Sequence, residues 1–370
     1  GGLYREICET PTWDNVFGSG GRAATAIALH DPSVELFTYS SREARPAINS
    51  LISLGIKVHI SPRPQEIVFA YFHPLSNPLI APAVLTSNDP ITVSGKSVLR
   101  FGFLEGSAVV NAERAVFDPQ SSQSVEHFHT NGSRADELAL VLNEAELQAY
   151  TGIDDPKSAI RKLFDNDLAD LVVLKRGIRG ALLSCRDRSV LIPAYRANQI
   201  FKIGTGDIFS AVFAFYWAES YLSPEESAQA ASKAVSYYCE TRQLPLPLNA
   251  VEGRVPVLVR GYPSVVIIGS TTTLGSRYTL EEARHCLLLL GVKVVAPAID
   301  QNHHLAQVDP DSCLLILADG LAEIEIENIR EQYATHTNCI VLDEQKRILH
   351  CRSSTIVADF TTAIYFSAWK

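Results

Sequence analysis

The sequence has no methionine at all, where average usage over 370 residues would supply several. That absence reads as residues lost rather than residues avoided. Spacing inside a motif is therefore a firmer guide than the offset between motifs. Paired cysteines are missing too. The seven cysteines, Cys8, Cys185, Cys239, Cys286, Cys313, Cys339 and Cys351, are scattered. None stands at metal-ligand spacing from another, which argues against a disulfide scaffold or a zinc module and for a reducing compartment. There is no run of Lys or Arg, and the net charge is −9. A nucleic-acid or anionic-membrane footprint is thereby excluded. The most apolar stretch, Ile208 to Ala218, is too short to cross a bilayer. Residues 1–8 carry Arg5 and Glu6 and do not read as a signal peptide. Internal repeats and low-complexity segments are absent. These absences leave a cytoplasmic globular protein with no nucleic-acid or membrane partner as the expectation.

What is present fits that class. Apolar types make up 46% of the chain and charged types 20%. The length exceeds what one hydrophobic core supports, so two domains are expected. Strand-like and helix-like segments alternate, which is the α/β pattern. Leu171–Leu174 reads as a strand, the turn with Gly177 and Gly180 follows, and Ala181–Ser184 is a second strand. Asp155-Pro156 reads as a helix cap and first residue. Ser223-Pro224-Glu225-Glu226 reads as a capping box opening a helix to about Glu240. The Pro-rich stretch Leu244–Arg260 breaks the pattern and places the domains at 1–258 and 259–370. Beyond it, strands are expected at Val265–Ile268, Val292–Ala296, Cys313–Leu317 and Cys339–Leu342. The loop Gly269–Tyr278 should lead into a helix capped by Thr279 and Glu282 and ended by Gly291. The irregular stretch Lys57 to Glu105 is rich in strand formers and could supply a β-lid over a cleft.

The strongest local chemistry lies in Gly204-Thr205-Gly206-Asp207, set at the head of the apolar run from Ile208. Two glycines let the backbone turn sharply, so that successive N–H groups point one way. The helix that starts there adds its positive end, and together they suit a phosphate or a developing anion. A carboxylate beside such a pocket suits a general base that takes a proton from a hydroxyl. The same four residues also suit an Asp helix cap after a glycine turn.

This segment resembles the C-terminal signature of the ribokinase-like (PfkB) carbohydrate kinases. Other pieces fall in that family's order. They are Gly20-Gly21-Arg22-Ala23-Ala24-Thr25-Ala26, Val116-Phe117-Asp118-Pro119-Gln120, Asn143-Glu144-Ala145-Glu146, and the strand and turn from Val172 to Ala181. The resemblance covers residues 1–258. It implies a ribokinase-like three-layer domain with a β-lid, and a kinase that moves the γ-phosphate of ATP to a hydroxyl of a sugar or nucleoside. It makes Asp207 the base and Gly204, Thr205 and Gly206 the donors to the transferred group. Asn143 and Glu146 would hold Mg²⁺. Lys175, Gly177 and Gly180 would lie on the nucleotide side, although Lys175 reads equally well as a solvated surface lysine. Asp14, Gly20, Gly21 and Thr25 would lie on the acceptor side, although Asp14 alone reads as a surface-turn residue. In that family a β-lid often forms a dimer contact, which makes a homodimer an expectation to test. Thr25 stands where the family usually has Asn. Phe201 stands where it has an Asp that helps hold a monovalent cation, and Thr205 replaces a small Ala. Those departures leave room for a non-catalytic binding protein on a kinase scaffold.

Two other motifs are weaker. Gly18 to Ala23 fits a dinucleotide fingerprint, but Glu9 to Phe17 is polar and holds Pro11, so no strand is expected before it. Ser94-Gly95-Lys96-Ser97 ends like a P-loop, yet Pro90 stands where its first glycine belongs. The pairs His127/His129 and His303/His304 lack partners at ligand spacing. The C-terminal part resembles nucleoside 2-deoxyribosyltransferase-like domains, a smaller Rossmann-like or flavodoxin-like α/β unit. That resemblance implicates Asp319 at a strand end and Glu323 and Glu325 on the next helix. The three residues Glu323, Glu325 and Glu327 also read as an ordinary acidic first turn.

Overall fold

The computed structural model describes residues 1–121, 125–257, 264–300, 311–333, 338–348, 350–351 and 353–369. The His303/His304 pair and the expected boundary at 258/259 lie outside them. The chain divides into two compact units. One comprises Gly1–Asn198 with Lys202–Pro256, the other Gln199–Phe201 with Val257–Lys370.

The larger unit is built on a six-stranded sheet. Its order is Ser189–Ile192, Ala181–Ser184, Leu171–Lys175, Arg134–Asn143, Ala108–Asp118 and Ile91–Phe101. The last four run parallel, and the first two close the edge as an antiparallel meander. Leu138, Ala139, Leu140, Val141 and Leu142 are consecutive and all buried. A continuous apolar run of this kind marks a parallel strand covered on both faces. On one face Leu138, Leu140 and Leu142 pack with Leu147, Ile160 and Phe164 from helices Glu144–Thr151 and Pro156–Asp165. Helices Gly18–Ile27, Thr205–Ala214 and Pro224–Thr241 lie against one another in the same unit.

The local signals behave as expected where the cap chemistry is complete. Asp155 accepts the Ser158 amide at 2.9 Å and opens helix Pro156–Asp165. Ser223 and Glu226 form a reciprocal capping box on Pro224–Thr241. Ser223→Ala is expected to cost about 1 kcal/mol, read as a lower urea midpoint with an unchanged slope. Sequence patterning fails at Trp13–Val16, which is a strand despite its polarity. It pairs antiparallel with Arg5–Cys8 rather than feeding a parallel crossover, so the dinucleotide fingerprint is still not met. With Val68–Tyr71 and Leu79–Ala81 these strands make a separate four-stranded sheet. Ile91–Phe101, expected within the lid region, instead forms an edge of the central sheet. Ser94–Ser97 lies inside that strand, where no phosphate loop can form.

The smaller unit is a five-stranded parallel sheet in the order Lys293–Val295, Ser264–Gly269, Cys313–Leu317, Cys339–Leu342, Thr355–Val357. Numbered within the unit this order is 2-1-3-4-5, the doubly wound flavodoxin-like arrangement. Thr279 does not cap its helix. Thr273 and Ser276 form the capping box, the helix is Leu274–Leu289, and the Thr279 hydroxyl donates to Gly275 O inside it. The competing box wins because it lies closer to the strand and shortens the loop. Gly291 follows the helix with φ of +74°, as a terminating glycine should.

Candidate active site

Three neighbouring parallel strands of the larger unit end in Asp118, Asn143 and Lys175. Ligands of open α/β sheets bind beyond such carboxyl ends. Lys175 and Asn143 are direct register partners. Lys175 Nζ donates to Asp118 Oδ2 at 2.7 Å, and Ser210 Oγ donates to the same oxygen at 2.7 Å. Asp118 is fully buried, and its Oδ1 has no hydrogen-bond partner among the described residues. Burial works against the Lys175 ammonium, but Asp118 and Glu146 outweigh it and its pKa is raised. Lys175 is thus no solvated surface lysine.

The Gly204–Asp207 turn faces this group. Gly204 has φ of +77°, and a Cβ there would meet the Arg22 guanidinium at 2.1 Å, so only glycine fits. A Cβ on Gly206 would lie 3.6 Å from Lys175 Nζ. Helix Thr205–Ala214 begins here without a side-chain cap. Asp207 is its third residue and does no capping: Arg22 Nη1 donates to its Oδ2 at 2.8 Å and Gln120 Nε2 to its Oδ1 at 2.5 Å. Burial pushes the Asp207 carboxyl up to about 6, with Arg22 opposing the rise and Glu6 and Asp118 adding to it. One expected donor is spent. The Thr205 amide bonds Lys202 O at 3.2 Å. Gly206 and Asp207 remain in the first turn, where no intrahelical carbonyl is within reach.

Sequence reasoning passed over Arg22 and Gln120 as roles, although both stood inside quoted motifs. Arg22 is fully buried between Glu6 and Asp207. It donates from Nη1 to Glu6 Oε1 at 2.9 Å and to Gly18 O at 3.3 Å, from Nη2 to Glu6 Oε2, and from Nε to the Tyr238 hydroxyl at 3.2 Å. An arginine in an otherwise small-residue helix start was the available signal.

Asn143 and Glu146 turn out to cap a helix. Asn143 Oδ1 accepts the Glu146 amide at 2.8 Å, and Glu146 Oε2 accepts the Asn143 amide at 2.7 Å. Asn143 is therefore engaged as a cap. Glu146 is 7% exposed, and burial pushes its carboxyl up to about 7, with Lys175 opposing and Asp118 and Asp207 adding. Among the described residues the carboxylates Glu6, Asp118, Glu146 and Asp207 outnumber the cations Arg22 and Lys175, but no three of them place ligand atoms within 4.8 Å of one another. The chain would thus offer Mg²⁺ one or two carboxylates, Glu146 among them, with nucleotide phosphates and water completing the shell.

Several expected residues do not join the cluster. Asp14 pairs with Arg5 at 2.8 Å, and strand alternation puts both on the face opposite Glu6. Space over Gly20 is taken by the Gly1 backbone, 2.5 Å from a built Cβ, and over Gly21 by Leu3. Those glycines admit the close approach of the extended segment Gly1–Leu3. The Thr25 hydroxyl donates to Gly21 O of its own helix at 2.7 Å. Gly177 and Gly180 shape a tight turn in which Arg176 N donates to Gly180 O at 2.7 Å. A Cβ on Gly180 would strike Ile192 O, and φ is +74°, so the turn requires glycine there. Phe201 is a buried apolar residue of the smaller unit. In that unit Glu325 caps Ala322 N at 2.7 Å and Glu323 is exposed, an ordinary acidic first turn. Asp319 accepts Gln345 Nε2 at 2.9 Å and lines a small cavity that neither glutamate reaches.

Residues 117–248 match the model described as pfkB family carbohydrate kinase. The chain carries a PfkB-family domain over those residues. The match spans Asp118, Asn143, Glu146, Lys175 and Asp207. Deoxyribokinases of Salmonella typhi and Salmonella typhimurium are 39% identical over 85 residues, 22% of this chain. The chain spans only 28% of the length of those relatives. A ribokinase from Thermotoga maritima superposes with a TM-score of 0.50 at 16% identity, over 68% of this chain and 97% of that one. That likeness shows a ribokinase fold over the matched part of the chain. Among the described residues no helix is long and apolar enough to cross a membrane.

Proposed function

We propose that the chain transfers the γ-phosphate of ATP to a hydroxyl of a sugar or nucleoside, with Asp207 as general base. The observation that carries this reading is the placement of Asp207. It is a buried carboxylate with a pKa of about 6, in the first turn of a helix and beside the Gly204 bend. A base poised just below neutrality is ionised at pH 7 yet basic enough to accept a proton in the transition state. Arg22 and Gln120 hold its two oxygens in place. The Gly206 and Asp207 amides and the helix N-terminus stabilise charge developing on the transferred group. Lys175 adds a fixed positive charge, held in position by Asp118. Magnesium bound with the nucleotide would neutralise phosphate charge, and Glu146 would help hold it.

The test is a panel of sugars and nucleosides with ATP and Mg²⁺, read as ADP formation. The 39% identical stretch makes 2-deoxyribose the first acceptor to try. ATP binding with no turnover on any acceptor would favour a non-catalytic role. Glu146→Gln is expected to raise the Mg²⁺ concentration for half-maximal rate by about tenfold or more, by the size of effects seen at metal shells. An unchanged Mg²⁺ titration would remove Glu146 from that role.

A further inference from the structure

A cavity of about 470 Å³ in the larger unit plays no part in the kinase reading. It lies between two strand edges. On one side is Ile91–Phe101, the edge of the six-stranded sheet. On the other is Glu35–Ser40, which pairs in parallel with Lys57–Pro62 as a separate two-stranded sheet. Backbone groups of successive strand residues point to opposite sides. Val34 O and Ser40 O accept the Lys57 and Arg63 amides, so the even-numbered residues face Lys57–Pro62. Glu35 and Phe37 therefore turn their N–H and C=O groups towards the cavity, and Phe37 O accepts the Gly1 amino group at 3.0 Å. Two facing edges of this kind are a template for one more strand.

The lining fits a strand better than a small ligand. Its helical side is built of small residues, Ala23 and Ala24 from Gly18–Ile27 and Ala211 and Ala214 from Thr205–Ala214. They leave room for side chains that descend from a sheet. Phe103 and Val110, which pack with the core around Leu138 and Leu140, line the cavity as well. A small apolar molecule would satisfy these side chains but not the backbone groups of the two edges. Gly1 points to the source of the strand. Burial pushes its ammonium down to about 5, with Glu105 opposing the fall and Arg100 adding to it. A peptide N–H would donate the same bond to Phe37 O without carrying a charge inside. A built Cβ on Gly1 lies 2.8 Å from the Phe101 ring, so a chain leading into Gly1 passes along both edges in their own direction. We propose that a parallel strand fills this cavity, that it is the segment leading into Gly1, and that it is about six residues long, to match Glu35–Ser40, and apolar throughout. It joins the two sheets into one. Its carboxyl end lies beside Phe101, the register partner of Asp118, and so braces the edge that carries the candidate site. Asp31, Glu35 and Glu219 also line the cavity, which favours a basic residue where the strand enters.

The probe is the full chain extended ahead of Gly1 by Lys-Val-Val-Val-Ile-Val, with an extension by Gly-Ser-Gly-Ser-Gly-Ser as the control. Backbone hydrogen exchange, resolved by segment, is the readout. Exchange across Glu35–Ser40 and Ile91–Phe101 should slow by about tenfold or more with the apolar extension and stay unchanged with the polar one. Ala24→Phe and Ala214→Phe crowd the helical side and should each cancel that protection. A second arm decides the matter if the extended chain does not fold. Acetylation turns the Gly1 amine into an amide, and the acetylated chain should unfold at a higher urea concentration with an unchanged slope. A lower midpoint would overturn the proposal, as would equal exchange in the two extended chains. So would protection of both edges in the unextended chain that grows with concentration as it dimerises, which would assign the cavity to a second copy.

Discussion

Asp207→Asn is expected to lower kcat for phosphoryl transfer by about 10³-fold, within the span that general-base removal produces. The substitution keeps shape and removes the proton-accepting oxygen. Substrate KM should change little, because the carboxylate acts on the hydroxyl proton rather than holding the ring. The parent enzyme should show a kcat that rises with pH through an apparent pKa of about 6 and then levels, since the base must be ionised. In the variant that limb should vanish from the residual rate. Stability runs the other way. The folded pKa of Asp207 lies above the ordinary 3.8, so this residue's favourable contribution is full below about 4 and lost as pH rises through about 6. A rise of about two pKa units corresponds to about 3 kcal/mol, and loss of the Arg22 pairing offsets part of it. Urea unfolding at pH 7 should therefore find the variant no less stable than the parent, with the difference shrinking in acid. Full activity in the variant would sink the assignment of Asp207 as base. A rate reduced equally at all pH values would move it from base to positioning residue.

The parts of this site that were legible in the sequence share a property. Each is a short contiguous block whose chemistry is set by its own backbone. Gly204-Thr205-Gly206-Asp207 is a bend followed by a helix start, and the strand ends Asp118, Asn143 and Lys175 close apolar runs that announce themselves. Parallel pairing then brings those three ends to one edge, as the class of fold requires. What was not legible depends on contacts between distant segments. Arg22 and Asp207 are 185 positions apart, and neither one's neighbours reveal the other. The roles of Gly20 and Gly21 followed from what occupies the space above them, and that is the N-terminal backbone. Thr25 could have pointed anywhere, and a hydroxyl in a helix has a ready acceptor four residues back. In the smaller unit the strands were readable as apolar runs.

Arg22→Met should be among the most destabilising single substitutions in the larger unit, at about 3–5 kcal/mol, the usual cost of breaking a buried ion pair. The reason lies in what it leaves behind. Arg22 is fully buried and its guanidinium bonds both oxygens of Glu6 and one of Asp207. Without it two buried carboxylates face each other with no cation between them. Trp13 Nε1, at 3.2 Å from Glu6 Oε2, is too little to compensate. Arg22→Lys should recover only part of the loss, because an ammonium cannot span Glu6, Asp207 and the Tyr238 hydroxyl from one planar fork. Pairing Arg22→Met with Glu6→Gln removes one of the stranded charges, so the double variant should be more stable than Arg22→Met alone. That non-additivity in urea unfolding is the signature of a direct charge network. Kinetics supply an independent arm. Arg22 holds the Asp207 pKa down against burial, so its loss should move the acid limb of the kcat profile above about 6. An Arg22→Met protein with parental stability and an unmoved pH profile would show that Arg22 neither supports the fold nor sets the basicity of Asp207.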